Sequence, residues 1–215
     1  MSWEVAVEAF VRAHTTARAT EFVPEIVLRV AEDVTPLWEL TGGAEPPFWA
    51  FPWAGGQGVA RYVLDNPQVV AGRRVFDLAC GSGLVAIAAA LAGAAQVTAC
   101  DVDEMALVAA GINASANDVA LTPLVADVLA TTVDAEVVLA GDVFYDKDMA
   151  AVVLPFLFRM AAGGALVLVG DPNRPYLPKD RFERVAAYEV PVPRSLEGVT
   201  VLTTTVWRPG PAAVS

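Results

Sequence analysis

From Gly55 onward, short runs rich in β-branched residues alternate with longer Ala-rich stretches, and this alternation restricts the fold more than any other feature of the chain. It is the pattern of repeated βα units, because a parallel strand pair needs a crossover long enough to hold a helix. Strands are expected at residues 74–79, 96–101, 123–126, 136–141 and 165–170, with helices at 57–65, 84–92, 104–117 and 148–162. Two further β-rich runs, 184–192 and 200–206, are joined by the turn-forming stretch Ser195 to Gly198, so an antiparallel pair should close one edge of the sheet. Upstream, residues 4–12 and 24–32 read as helices, followed by Gly42-Gly43 and Pro46-Pro47, which stop regular structure. Residues 1–45 are therefore expected to form a helical cap on a domain spanning 46–215.

Composition limits what such a domain does. With 215 residues, 55% of them hydrophobic and 18% charged, the chain can build a sizeable core and does not match a disordered one. A net charge of −11 argues against a surface that tracks phosphate backbones, so no nucleic-acid partner is expected. The longest apolar run, residues 84–95, falls short of the roughly 20 residues that span a bilayer. The start, Met-Ser-Trp-Glu-Val-Ala-Val-Glu, has no basic segment ahead of an apolar one, and a cytoplasmic protein is expected. Cys80 and Cys100 have no Cys or His neighbours at metal-ligand spacing and read as small buried hydrophobes; no metal site is expected. The one histidine, His14, has no partner for acid–base chemistry nearby in sequence.

Chemistry concentrates in the stretch from Arg74 to Gly83, a strand running into a glycine loop that opens a helix. Gly81 and Gly83 let the backbone approach a ligand, and the helix start offers free N–H groups. With Ala86 and Asp101, the loop also fits a dinucleotide fingerprint. Asp77 argues against that, because a carboxylate at the strand end repels a pyrophosphate and suits the ammonium of S-adenosylmethionine. Its structural alternative is to cap the following loop. Asp101, ending the next strand, stands where a ribose diol is held. Asp103 reads as the N-cap of the helix at 104. Asp127 either accepts from an adenine amino group or makes a turn, with neither favoured. Asn113 and Asn117 are left outside the site. The fourth strand ends in Ala140-Gly-Asp-Val-Phe-Tyr-Asp146, where Asp142 is the candidate to orient an acceptor nitrogen and Tyr145 to supply a ring wall or hydroxyl. Asp146 and Asp148 fit better as helix caps, which leaves Asp142 with no evident structural task.

These segments resemble the motifs of class I, seven-stranded S-adenosylmethionine-dependent methyltransferases: Asp77-Leu-Ala-Cys-Gly-Ser-Gly83, Cys100-Asp-Val-Asp103 and Gly141-Asp-Val-Phe-Tyr-Asp146. Phe48-Trp-Ala-Phe-Pro-Trp-Ala-Gly-Gly-Gln57, Arg61-Tyr-Val-Leu-Asp-Asn-Pro67, Gly170-Asp-Pro-Asn-Arg-Pro175 and Thr203-Thr-Thr-Val-Trp207 narrow the resemblance. It is to the lysine methyltransferases of the electron-transfer-flavoprotein β subunit and spans roughly residues 20–207. It implies an α/β fold with strand order 3-2-1-4-5-7-6, the seventh strand antiparallel, behind a short helical cap. It places Trp53, Gln57, Asp77, Ala79, Gly81, Gly83, Asp101, Val102 and Asp127 around the methyl donor, and Asp142 and Tyr145 on the acceptor side. The implied partner is a protein substrate, lysines of that β subunit; a ribosomal protein or small amine is the rival acceptor, and a non-catalytic nucleoside-binding module the rival class. Two departures stand out. Ala79 replaces a common glycine and is expected to be tolerated because a methyl is small, and Ala54 replaces the proline of a Trp-Pro-Gly-Gly form, which loosens the expected geometry at Trp53. A neutral lysine amine at pH 7 costs about 4 to 5 kcal/mol, and a carboxylate at Asp142 alone hinders that step, so Asp142 is assigned to orientation.

Overall fold

The computed structural model describes residues 2–41 and 46–210. Helix α1 (Trp3–His14) leads into a two-stranded antiparallel hairpin, β1 (Thr16–Ala19) with β2 (Val27–Val30), and then α2 (Val34–Leu40). The helix expected at 24–32 is thus a strand. Ile26, Leu28 and Val30 are buried at every second position, the period of an extended chain and not of a helix. Gly42-Gly43, and the domain boundary placed at residue 45, lie outside the described residues.

The main domain follows the expected alternation. Its elements are α3 (Ala54–Asp65), β3 (Arg74–Leu78), α4 (Leu84–Leu91), β4 (Gln96–Asp101), α5 (Glu104–Ala116), β5 (Thr122–Val125), β6 (Val137–Gly141), α6 (Lys147–Ala162), β7 (Leu166–Asp171), β8 (Phe182–Pro191), α7 (Arg194–Glu197) and β9 (Val201–Pro209). The seven-stranded sheet runs β5-β4-β3-β6-β7-β9-β8, which is the order expected. β9 is antiparallel to both β7 and β8; the other pairings are parallel. The turn expected at Ser195 to Gly198 is a single helical turn, closed by Gly198 at φ 73°.

Alternation within the strands divides the core. Val75, Val137, Leu139 and Leu168 point to the face covered by α3, α4 and α5. Phe76, Val138, Ala140 and Val167 point to the face covered by α6. Strands buried on both faces read as continuous apolar runs, which is why β6 is Val-Val-Leu-Ala-Gly. A further layer, α1 with the β1–β2 hairpin, packs on the outer side of α4 and α5 through Leu84, Ile87, Ala109 and Ile112. Two asparagines fix the hairpin. Asn113 accepts from the Arg29 N–H at 2.8 Å, and Asn117 both accepts from and donates to Val27. Their amides continue the β2 ladder where no strand does, a task that explains their place on α5.

Candidate active site

The carboxyl ends of β3, β4, β6 and β7 form one edge, and the candidate side chains gather there. Asp77 is 2% exposed. Its Oδ2 accepts the Ala86 N–H at 2.9 Å, the bond an N-cap side chain would make had the cap residue not been Gly83. Among the described residues its other oxygen takes no hydrogen bond. Burial pushes its pKa up to about 8, and Asp101 nearby adds to the shift. Such a carboxyl, buried and with one oxygen uncommitted, fits a cationic ligand group. Gly81 and Gly83 lie at φ 50° and 78°, and a Cβ on Gly83 would come within 2.8 Å of the Ala110 side chain. Ala79 also sits at φ 54°. The cost of its methyl is therefore one of backbone conformation, not of space as expected from its size.

Asp101 ties the glycine loop to β4. Its Oδ2 accepts the Gly81 N–H at 2.9 Å and its Oδ1 the Asp103 N–H at 3.1 Å; burial raises its pKa. Asp103 caps α5 through the Met105 N–H. Val102 is 71% exposed beside them. Asp127, also exposed, makes the turn its alternative reading described, accepting from the Leu129 N–H at 3.0 Å.

Asp142 has a structural task that the sequence did not reveal. Its neighbour Asp146 caps α6 through Asp148 and Met149, whereas Asp142 reaches across the sheet edge to the start of α3. Its Oδ2 accepts the N–H groups of Gly55 and Gly56, the latter at 3.2 Å. Its Oδ1 accepts from Arg174 Nε at 3.1 Å and Nη2 at 2.9 Å. Burial raises its pKa, and the Arg174 guanidinium partly offsets that. The Gly-Gly pair follows from the same contact. A Cβ on Gly141 would lie 2.6 Å from Gly56 backbone, and one on Gly170 would strike the Gly55 carbonyl, so α3 rests on the ends of β6 and β7 backbone to backbone. Ala54, in place of proline, is the first residue of α3, where proline is most readily accepted, and Trp53 keeps the extended conformation of a cap.

Arg174 was present in a motif but had no assigned role. It also donates to Glu197 of α7 at 3.0 and 2.7 Å, so β6, α3, the β7–β8 connection and α7 meet at one guanidinium. The signal available was an Asp and an Arg three apart immediately after a strand: Asp171 Oδ1 accepts the Arg174 N–H at 2.7 Å. Aromatic rings link the two halves of the site. Phe48 lies 5.8 Å from Trp53 and 5.2 Å from Tyr145, and the Trp53 indole donates to the Phe48 carbonyl at 2.8 Å. Gln57, assigned to the donor side, lines a different cavity that includes none of Asp77, Gly81 and Asp101.

A largely parallel sheet with this order and one antiparallel strand, a glycine loop after its first central strand and a buried carboxyl ahead of that loop define a class I methyltransferase. A family model described as ribosomal protein L11 methyltransferase matches residues 62–144. Magnesium protoporphyrin IX methyltransferase from Synechocystis PCC 6803, solved with bound S-adenosylmethionine, shares the fold at a TM-score of 0.51 and 17% identity, over 71% of this chain and 77% of that one. The electron transfer flavoprotein beta subunit lysine methyltransferase of Danio rerio is 37% identical over 195 residues, 86% of this chain and 76% of the relative. Its Homo sapiens counterpart is 34% identical over 212 residues, 94% and 81%. The chain belongs to this lysine methyltransferase family. It is a protein-lysine N-methyltransferase whose methyl donor is S-adenosylmethionine. Among the described residues, no helix is long and apolar enough to cross a membrane.

Proposed function

We propose that this enzyme methylates lysine side chains of the electron-transfer-flavoprotein β subunit, acting in the cytoplasm and without a nucleic-acid partner. The observation that carries the donor side is Asp77, a buried carboxyl with one open oxygen beside the glycine loop. Asp77 pairs with the donor's ammonium, Asp101 takes the ribose hydroxyls, and Ala79, Gly81 and Gly83 supply a backbone that comes close to it. Trp53 closes the loop side, while Val102 and Asp127 flank the adenine. Bound S-adenosylmethionine supplies a methyl group activated by its sulfonium. The chain aligns the incoming amine and excludes water, the contributions that matter most in a direct displacement. Tyr145 forms the acceptor wall. Asp142 acts by position, because its four hydrogen bonds hold α3 and Arg174 in place.

Recombinant flavoprotein β subunit, incubated with enzyme and donor, should gain mass in methyl steps on lysine-containing peptides. Arginine at those lysines should abolish the gain, since arginine keeps the charge but has no readily deprotonated amine. The match to a ribosomal protein methyltransferase family supports a second acceptor reading. Labelled donor in a cell extract separates the two: label on a ribosomal protein, with the flavoprotein unmodified, removes the first.

A further inference from the structure

Phe48 joins the donor loop to the acceptor side. It begins a short helical turn, Phe48–Ala50, whose other two side chains, Trp49 and Ala50, are buried in the core. Phe48 itself is only half-buried. The backbone of this turn lies on the glycine loop: a Cβ on Gly81 would be 3.8 Å from Trp49 Cα and 3.9 Å from the Phe48 carbonyl oxygen, ordinary van der Waals contact. The same carbonyl takes the Trp53 indole N–H, which ties the turn to the cap of α3, two residues ahead of the Gly55 N–H that Asp142 holds. The Phe48 ring packs edge-on against Trp53 at 5.8 Å and, tilted by 47°, against Tyr145 at 5.2 Å. Tyr145 repeats the pattern after β6, since Val143 and Phe144 are buried whereas Tyr145 is 43% exposed. Trp53 is also half-buried. The three rings therefore make one continuous wall that starts beside Gly81 and ends at Tyr145, and each keeps part of its surface open.

Aromatic faces beside the donor loop have a definite chemistry. The aliphatic stem of a lysine gains apolar contact there, and the wall keeps water from its amine, which favours the neutral form. The neutral amine takes the methyl group with its lone pair, the electron pair of the broken S–C bond stays on sulfur, and the positive charge passes to nitrogen, where the ring faces stabilise it. An amine that already carries a methyl group is larger, less strongly hydrated and better held by the same faces. We propose that Phe48 is a specificity-determining residue of the acceptor site: its ring contacts the target amine and favours a lysine that already bears a methyl group over an unmodified one. This rests on the acceptor-side placement of Tyr145 proposed above and is independent of which protein bears the lysine.

The test uses the full-length enzyme with labelled S-adenosylmethionine and two acceptors in parallel, recombinant flavoprotein β subunit and cell extract. Both are hydrolysed to free amino acids, so that mono-, di- and trimethyllysine are counted whatever protein bears them. Phe48→Leu keeps apolar bulk and removes the ring face. It should lower the rate of the second methyl transfer relative to the first about threefold, the size of a partly exposed cation–π contact, so that monomethyllysine accumulates. Phe48→Tyr keeps the face and should restore the parent ratio. S-adenosylhomocysteine affinity, measured by calorimetry, should stay within about twofold in both variants, because Phe48 meets the loop through its backbone. The inference is overturned if the parent stops at monomethyllysine, if Phe48→Leu keeps the parent ratio, if Phe48→Tyr does not restore it, or if nucleoside affinity falls as far as turnover does. A β subunit left unmodified while the extract yields methyllysine removes the flavoprotein assignment, and the extract hydrolysate still decides the role of Phe48. A parent that yields no methyllysine from either acceptor overturns both.

Discussion

Asp171, at the end of β7, is 1% exposed, and its Oδ2 is buried with no hydrogen-bond partner. Burial raises its pKa from 3.8 to about 6, with the nearby Asp142 carboxylate contributing and the Arg174 N–H opposing. The sign of the linkage follows. A carboxyl whose pKa is higher folded than unfolded binds its proton more tightly when folded, so its contribution is fully present below pH 3.8 and is lost as pH rises through 6. At about 1.4 kcal/mol per pH unit over that interval, ionised Asp171 costs the fold about 3 kcal/mol above pH 7. Asp171→Asn keeps the shape and the acceptor for Arg174 but has no charge to bury. The stronger bond that the charged form accepts from the Arg174 N–H is already contained in that net figure. The variant should therefore be about 3 kcal/mol more stable than the parent at pH 7.5 and within about 1 kcal/mol of it near pH 4. Urea unfolding of both proteins at half-unit pH steps reads the difference directly, and taking the difference cancels the titration of Asp77 and Asp101, while Asp142, coupled to Asp171, shifts in the same direction. A difference that stays constant from pH 4 to 7.5, or a variant less stable at the upper end, would refute the account.

Ala79→Gly should raise stability by about 1 kcal/mol by relieving a left-handed alanine, measured by denaturant unfolding with donor absent. Donor binding at pH 7 should release close to one proton, since an Asp77 held near 8 gives up its proton on pairing with an ammonium. Calorimetry in buffers of different ionisation enthalpy measures that release, which should vanish in Asp77→Asn. Asp142→Asn turns an amide donor toward either the α3 N–H groups or Arg174; it should cost about 2 kcal/mol or more and cut turnover well beyond any change in donor affinity. Parent-level turnover in a folded variant would show that the position does not act on the acceptor side, and Tyr145→Phe, which keeps the ring, should do less.

The alternation of β-rich and Ala-rich runs made the sheet legible because each central strand is buried on both faces and each helix on one, so composition and burial agree. The strand order came from the resemblance and not from the periodicity. What escaped was structure made by contacts distant in sequence. The segment 24–32 is as apolar as many helices, and it becomes a strand because β1 on one side and the Asn113 and Asn117 amides on the other complete its hydrogen bonds. In the same way Asp77 and Asp101 could be placed from their own strands, since each lies beside the loop it serves. The partners of Asp142 are 86, 87 and 32 residues away in the chain, and no local pattern encodes them.

That wiring bears on how a lysine loses its proton here. A carboxylate has about four lone-pair sites, and Asp142 fills four with the N–H groups of Gly55, Gly56 and two from Arg174. It can take a proton from a substrate amine only by releasing α3 or Arg174, and releasing Arg174 also frees Glu197. Deprotonation of the amine, at about 4 to 5 kcal/mol near pH 7, is therefore better met by desolvation within the site and by the adjacent positive charge of the donor than by a side-chain base. On that account turnover should keep rising with pH up to the amine's own titration, with no plateau at a carboxylate pKa. The part played by Asp142 is then to hold the start of α3 and the Arg174–Glu197 pair in one fixed arrangement, so that on the proposed reading the amine, once neutral, is already aligned.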